Sequence, residues 1–299
     1  MIVTLDIFSG RPNPSWRLSD KNAKGLVDRI AGRALVSADA DAGHQMLGFR
    51  GLIVSPSDDA VAALPAPMRI GGAAAHVASA KSKGQHALSA DDSAEVVRWL
   101  LSTGAHAIHD AVAEAVHAEV ESRLQGGAEA HAEPIDADAQ AEQASTEAAQ
   151  AAACIIANTP YNPGFWNAAA VQPKNNCYNY AMNFRSDTFA QPGHISGHPN
   201  SVMDCPHVSA AANWDGCLAS CSGSNKNVAL VIWPGVDYHW YRRHSEGFWG
   251  HKPGGTAARN VDNAGQLING TTRTPANCNR GGYTIFCGYR FSPTGMKVN

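Results

Sequence analysis

The stretch from Gly126 to Ala153 constrains the fold more than any other. It is built from Ala, Glu and Gln with almost no large apolar side chain. Such a segment cannot bury enough surface to offset the entropy lost on ordering it. It reads as a flexible linker, so the chain must build two cores, one on either side. The division predicts an N-terminal module over 1–125, a linker over 126–153 and a second domain over 154–299. A chain of 299 residues has room for both domains.

In the first module, residues 1–8 alternate like a strand, and Ser9-Gly10-Arg11-Pro12-Asn13-Pro14 reads as a turn. Residues 15–18 return as a second strand, and Ser19-Asp20 can cap a helix to Ile30. Residues 47–54 are a further strand candidate and 71–84 a loop. Ser89-Ala90-Asp91-Asp92 then caps one long helix. Its apolar stripe is Val96, Leu100, Ile108, Val112, Val116, Val120 and Leu124, and Gly104 weakens its middle. His106, His109 and His117 on it read as surface residues. The expectation is a small α+β module that binds, delivers or autoinhibits.

The first ten residues lack a basic stretch and a long apolar core, which predicts no general secretory signal. Cytoplasmic residence or a dedicated export route follows, and no apolar run is long enough to cross a membrane. The net charge of -3 hides an asymmetry: from residue 151 on there are 11 Lys/Arg and 6 Asp/Glu, while the other 12 and 20 precede it. The halves thus carry +5 and -8, and an intramolecular contact between them is one expectation. The modest positive charge, without a Lys/Arg run, predicts no nucleic-acid partner, and no membrane partner is expected either.

The second domain changes character. Aromatics, Asn, Gly and Pro rise. An irregular entry (158–167) leads to Asn175-Asn176-Cys177-Tyr178-Asn179-Tyr180-Ala181, which opens a helix predicted to reach about Arg185. Residues 189–193 are a stop signal. Strands are predicted at 227–233, 237–243, 248–252 and 283–289. One helix followed by an antiparallel sheet makes an α+β fold.

A cysteine at a helix start meets free backbone N–H groups that favour a thiolate and can hold an oxyanion. Cys177 is therefore a candidate nucleophile. His239, in the 237–243 strand between Tyr238 and Trp240, is a candidate base. A base needs a third group to hold its tautomer. His251 lies nearly opposite if the hairpin at Ser245-Glu246 closes as expected. Asp262 and Asn263 are alternatives, and Asp237 is too near in sequence to point the same way easily. Asn175 and Asn176 are candidates for the oxyanion, and Trp240 for substrate contact.

The Asn-Cys-Tyr-Asn-Tyr-Ala helix start, the 228–233 strand, the His239 strand and then the His251 strand resemble the core of papain-like amidases and peptidases of the NlpC and CHAP kind. The resemblance spans roughly residues 155–290. It implies Cys177 as nucleophile, His239 as base and His251 as orienter, in a cysteine hydrolase acting on a peptide or amide-containing substrate without a cofactor. The density of Asn and Cys departs from that family, and no cell-wall-binding repeat is present.

Two rivals compete. Cys205, His207, Cys217 and Cys221 offer ligands for a structural zinc. A non-catalytic binding module could instead pave a groove with Trp233, Tyr238, Trp240, Tyr241, Phe248 and Trp249. All seven cysteines lie in the back half. With Cys177 free, the other six make three disulfides or stay reduced, and the sequence leaves that open.

Overall fold

The computed structural model describes residues 1–31, 33–34, 36–37, 46–57, 67–71, 86–87, 90–125, 155–156, 158–221 and 226–299. The expected linker, all but the first residue of the 71–84 loop, the Ser89 cap and Cys154 lie outside the described residues. Helices and antiparallel sheets make the fold α+β. The chain forms two compact units, one of Met1–Ile7 with Asn13–Gly127 and the other of Phe8–Pro12 with Ala128–Asn299.

In the first unit, β1 (Ile2–Asp6) pairs antiparallel with β2 (Ser15–Arg17), and Val3 and Leu5 point into the core. Ser19 caps α1 (Asp20–Ile30) by accepting from the Asn22 N–H, as its position before the apolar stripe requires. Strands β3 (Arg33–Ala34), β4 (Val36–Ser37), β5 (Gly51–Ser55), β6 (Met68–Ile70) and β7 (His86–Ala87) follow. They complete a sheet ordered β2-β1-β5-β6-β4 and a separate β3-β7 pair. The strand expected over 47–54 begins only at Gly51. Buried Asp6 accepts from Arg50 and Arg69, each at 2.7 Å.

The expected long helix is two helices, α2 (Ala90–Thr103) and α3 (Asp110–Leu124), separated by a 3-10 turn over Ala105–Ala107. The break falls at Gly104, where a Cβ would collide with the Trp16 indole. Trp16 also donates from Nε1 to Thr103 Oγ1 at 3.0 Å. Tertiary packing on glycine thus decides where the periodic stripe is cut.

The second unit opens with α4 (Pro163–Asn167) and α5 (Cys177–Ala181), then α6 (Cys205–Trp214). Its sheet is β8 (Val228–Trp233), β9 (Asp237–Arg243), β10 (Trp249–His251) and β11 (Ile285–Arg290), ordered β10-β9-β8-β11 and antiparallel. The β8 side chains are all buried because the strand is central. One core joins Cys177, Tyr178, Ala181, Val208 and Ala212 to Leu230, Ile232, Tyr238 and Trp240. The helix starting at Cys177 stops at Ala181 rather than near Arg185. Asn183 enters the left-handed region at φ 53, and the Phe184 N–H turns back to the Asn179 carbonyl.

Among the described residues no helix is long and apolar enough to cross a membrane.

Candidate active site

Cys177 is the first residue of α5. Its cap, Asn176, accepts from the Tyr178 and Asn179 N–H groups, while the Asn179 side chain accepts from the Asn176 N–H. This reciprocal box uses asparagine where glutamate is common, and it satisfies backbone N–H groups that the helix start leaves free. β10 pairs only with Tyr241–Arg243, so the Asp237–Trp240 part of β9 runs beyond its end. There the Cys177 Sγ meets the Tyr238 carbonyl at 4.0 Å.

Phe8–Pro12 also packs here. Ser9 Oγ lies 2.5 Å from His239 Nδ1 and accepts from the Gly254 N–H at 3.3 Å. The Ser9 hydroxyl also acts on the Cys177 thiol, lowering its pKa. His239 Nε2 is 2.8 Å from His251 Nδ1, and His251 Nε2 is 2.9 Å from the Val261 carbonyl. Hydroxyl, two imidazoles and a carbonyl thus form one continuous chain of contacts.

The proton positions follow from its end. A carbonyl only accepts, so His251 Nε2 carries a hydrogen. Burial, with Arg259 nearby, holds the His251 pKa down to about 3, so the ring is neutral and its Nδ1 accepts. His239 Nε2 must then donate. With the His239 ring neutral, its basic nitrogen is Nδ1, which faces Ser9 and takes the hydroxyl hydrogen. Register makes this possible: His251 pairs with Tyr241, two residues from His239 and hence on the same face. The Tyr241 ring stacks on His251 at 4.9 Å and meets His239 edge-on at 4.7 Å.

Cys177 is fully buried. Burial above all, and then the Asp237 carboxylate, push its thiol well above the ordinary range. The Trp240 backbone N–H, the Ser9 hydroxyl and the Lys252 cation act the other way without reversing it. The thiol is therefore protonated at rest. Lys252 sits close by, donating to the carbonyls of Gln172, Asn175 and Gly254.

No protein-family model and no solved structure matches the chain. Over 150 residues it is 41% identical to insoluble matrix shell protein 1 of Ruditapes philippinarum, an alignment that takes in 99% of that protein and 49% of this chain. The chain belongs to the family of insoluble matrix shell protein 1. About half of this member therefore has no counterpart in that shell protein.

In this shell-matrix family member, the sequence candidates fall into two groups. His239 and His251 meet directly, and Cys177 and Asn176 reach the neighbouring groups, Cys177 at the Tyr238 carbonyl and Asn176 through an Nδ2 that donates to the Gly10 carbonyl at 2.8 Å. Asn175 does not. Its amide is tied to the Val171 carbonyl and to Asp187. The Trp240 ring is a second correction: alternation along β9 turns it into the core against Tyr178, and only its backbone reaches the thiol. Asp262, an alternative orienter, instead closes its own loop by accepting from the Ala264, Gln266 and Asn279 N–H groups.

Sequence reasoning missed Ser9, Gly10, Gln191 and Asp237. Asp237 gathers the N–H groups of Ser9, Gly10 and Arg11 and the Tyr283 hydroxyl on one buried carboxylate. Burial raises its pKa despite those donors. The clustered turn residues at 9–14 were the available signal, and they report a turn without naming what it packs on.

The zinc set does not assemble. Cys205 is bridged to Cys287, and Cys221 is disulfide-bonded too. Cys217 is buried and free, and His207 pairs with its neighbour Asp204. Among the described residues no group of three His, Cys, Asp or Glu could hold a metal ion. Nor do the rival's aromatics pave an open groove: Trp233, Tyr238, Trp240, Tyr241 and Trp249 are buried.

Proposed function

We propose that the second unit is a papain-like cysteine hydrolase that acts on amide bonds, with Cys177 as nucleophile, His239 as base and His251 as orienter. One observation carries this: the Ser9 hydroxyl, which also acts on the Cys177 thiol, meets the basic nitrogen of an imidazole whose tautomer is set from behind. At rest the thiol is neutral and the Ser9 hydroxyl occupies the basic nitrogen of His239. Turnover requires that hydroxyl to give way to substrate.

His239 Nδ1 then takes the Sγ proton, and the thiolate attacks the carbonyl carbon. As the tetrahedral centre collapses, the C–N bond breaks and Nδ1 returns the proton to the leaving amine. Water loses a proton to Nδ1, attacks the thioester and expels the thiolate. Hydrolysis, deamidation and transfer share this thioester. Assay of the full chain against thioesters and peptide amides tests the proposal. Loss of turnover in Cys177→Ala, and a drop of roughly 10²–10⁴-fold in His239→Ala, are expected. Undiminished turnover in Cys177→Ala would overturn it.

The similarity to a shell matrix protein favours a second reading, a non-catalytic matrix component. The second unit carries a cavity of about 260 Å³ that suits binding, lined in part by Phe165, Trp166, Tyr180, Arg242 and His244. Matrix binding that survives Cys177→Ala, with no turnover in the parent, would select it.

A further inference from the structure

The Phe8–Pro12 segment is held the way a cleft holds a peptide. Asp237 accepts from three successive backbone N–H groups, Ser9 at 2.6 Å, Gly10 at 3.1 Å and Arg11 at 3.0 Å. The Gly10 carbonyl accepts from Asn176 Nδ2 at 2.8 Å, Gln191 Nε2 at 2.8 Å and the Tyr238 hydroxyl at 3.1 Å. The Arg11 guanidinium donates to the Val236 carbonyl at 2.6 Å. Ser9 places its side chain on the base. A Cβ on Gly10 would run into the Tyr238 ring, so the cleft reads glycine by exclusion.

We propose that Ser9-Gly10-Arg11 occupies the substrate place of the site, and that the substrate is a polypeptide with glycine at the Gly10 position, a small residue before it and a basic one after. The word substrate rests on the hydrolase proposal above, while the occupancy does not. Main-chain polar groups supply affinity and the Tyr238 ring supplies selection, the division of labour seen when a chain is recognised in extended form. The carbonyl cradle of Asn176, Gln191 and Tyr238 would hold the corresponding substrate carbonyl.

The test uses full-length protein and iodoacetamide labelling read by mass spectrometry at three buried free thiols, Cys177, Cys217 and Cys278. Gly10→Ala should expel the segment and Asp237→Asn should weaken its clamp. Labelling of Cys177 is expected to rise about tenfold to a hundredfold in either variant, with Cys217 and Cys278 unchanged. A capped peptide of the Phe8–Pro12 sequence should restore protection, and the same peptide with valine in place of glycine should not. A rise shared by all three thiols in both variants would mean unfolding rather than opening and would overturn the proposal. So would no rise in either variant, or equal protection by the two peptides. Protection needs no turnover, so selective protection without hydrolysis would sink only the hydrolase proposal.

Discussion

Ser9 Oγ and His239 Nδ1 lie 2.5 Å apart although 230 positions separate them in the chain. That contact lies on the basic face of the imidazole. Behind it, His251 holds the opposite nitrogen.

Replacing His251 with Phe should leave the His239 Nε2–H without its acceptor in a buried setting. The expected loss of stability is about 1–3 kcal/mol, read from urea denaturation. In the same variant, ¹⁵N NMR should show His239 shifting toward the Nδ1–H tautomer. An unchanged tautomer would show that His251 is not what sets it.

Stability should fall on acidification. Burial lowers the His251 pKa to about 3 and the His244 pKa to about 4, both below the ordinary 6.5. The unfolded chain therefore takes up these protons first. The stability held by neutral rings is complete above about pH 6.5 and is lost as pH falls toward 4 and then 3. Each ring contributes a slope of at most about 1.4 kcal/mol per pH unit across that window. Asp237, whose pKa is raised, binds a proton more readily when folded and offsets part of the loss. Urea midpoints measured from pH 7 to 4 should decline, and less steeply in His244→Gln. A flat profile would contradict the assignment.

The Cys205–Cys287 bridge closes a separation of 82 residues. Chain-entropy scaling puts its contribution at about 4–5 kcal/mol. A Cys205→Ser, Cys287→Ser double variant should unfold at a correspondingly lower denaturant concentration. Equal midpoints would show that the bridge adds nothing.

Asp6 is buried between Arg50 and Arg69, which hold its carboxylate well below the ordinary range against the cost of burial. Asp6→Ala leaves two buried guanidinium groups without that anion. It should destabilise the first unit by about 3–5 kcal/mol, measured by denaturation. A change under 1 kcal/mol, the size of an exposed pair, would show that the network is solvated.

Local signals carried much of this fold. Ser19 stands before an apolar stripe and caps α1. Residues 228–233 form a continuous apolar run and become the central strand. Asn176 before Cys177 marks a helix start, and the His239–His251 separation through a short hairpin brings the rings to one face. Where signals failed, the cause was distant in one case and local in the other. Trp16 cuts the long helix at Gly104, and Asn183 ends α5 four residues before the expected point.

Residue order alone determined the α+β class, the main strands and the helix start at Cys177, because each depends on period or on neighbours a few positions away. Only tertiary structure decided that Ser9 would meet His239, that Trp240 would face the core, and that Cys205 would find Cys287. Those outcomes depend on which distant surfaces meet and on how far burial raises the cost of charge, and neither is encoded in any short window of sequence.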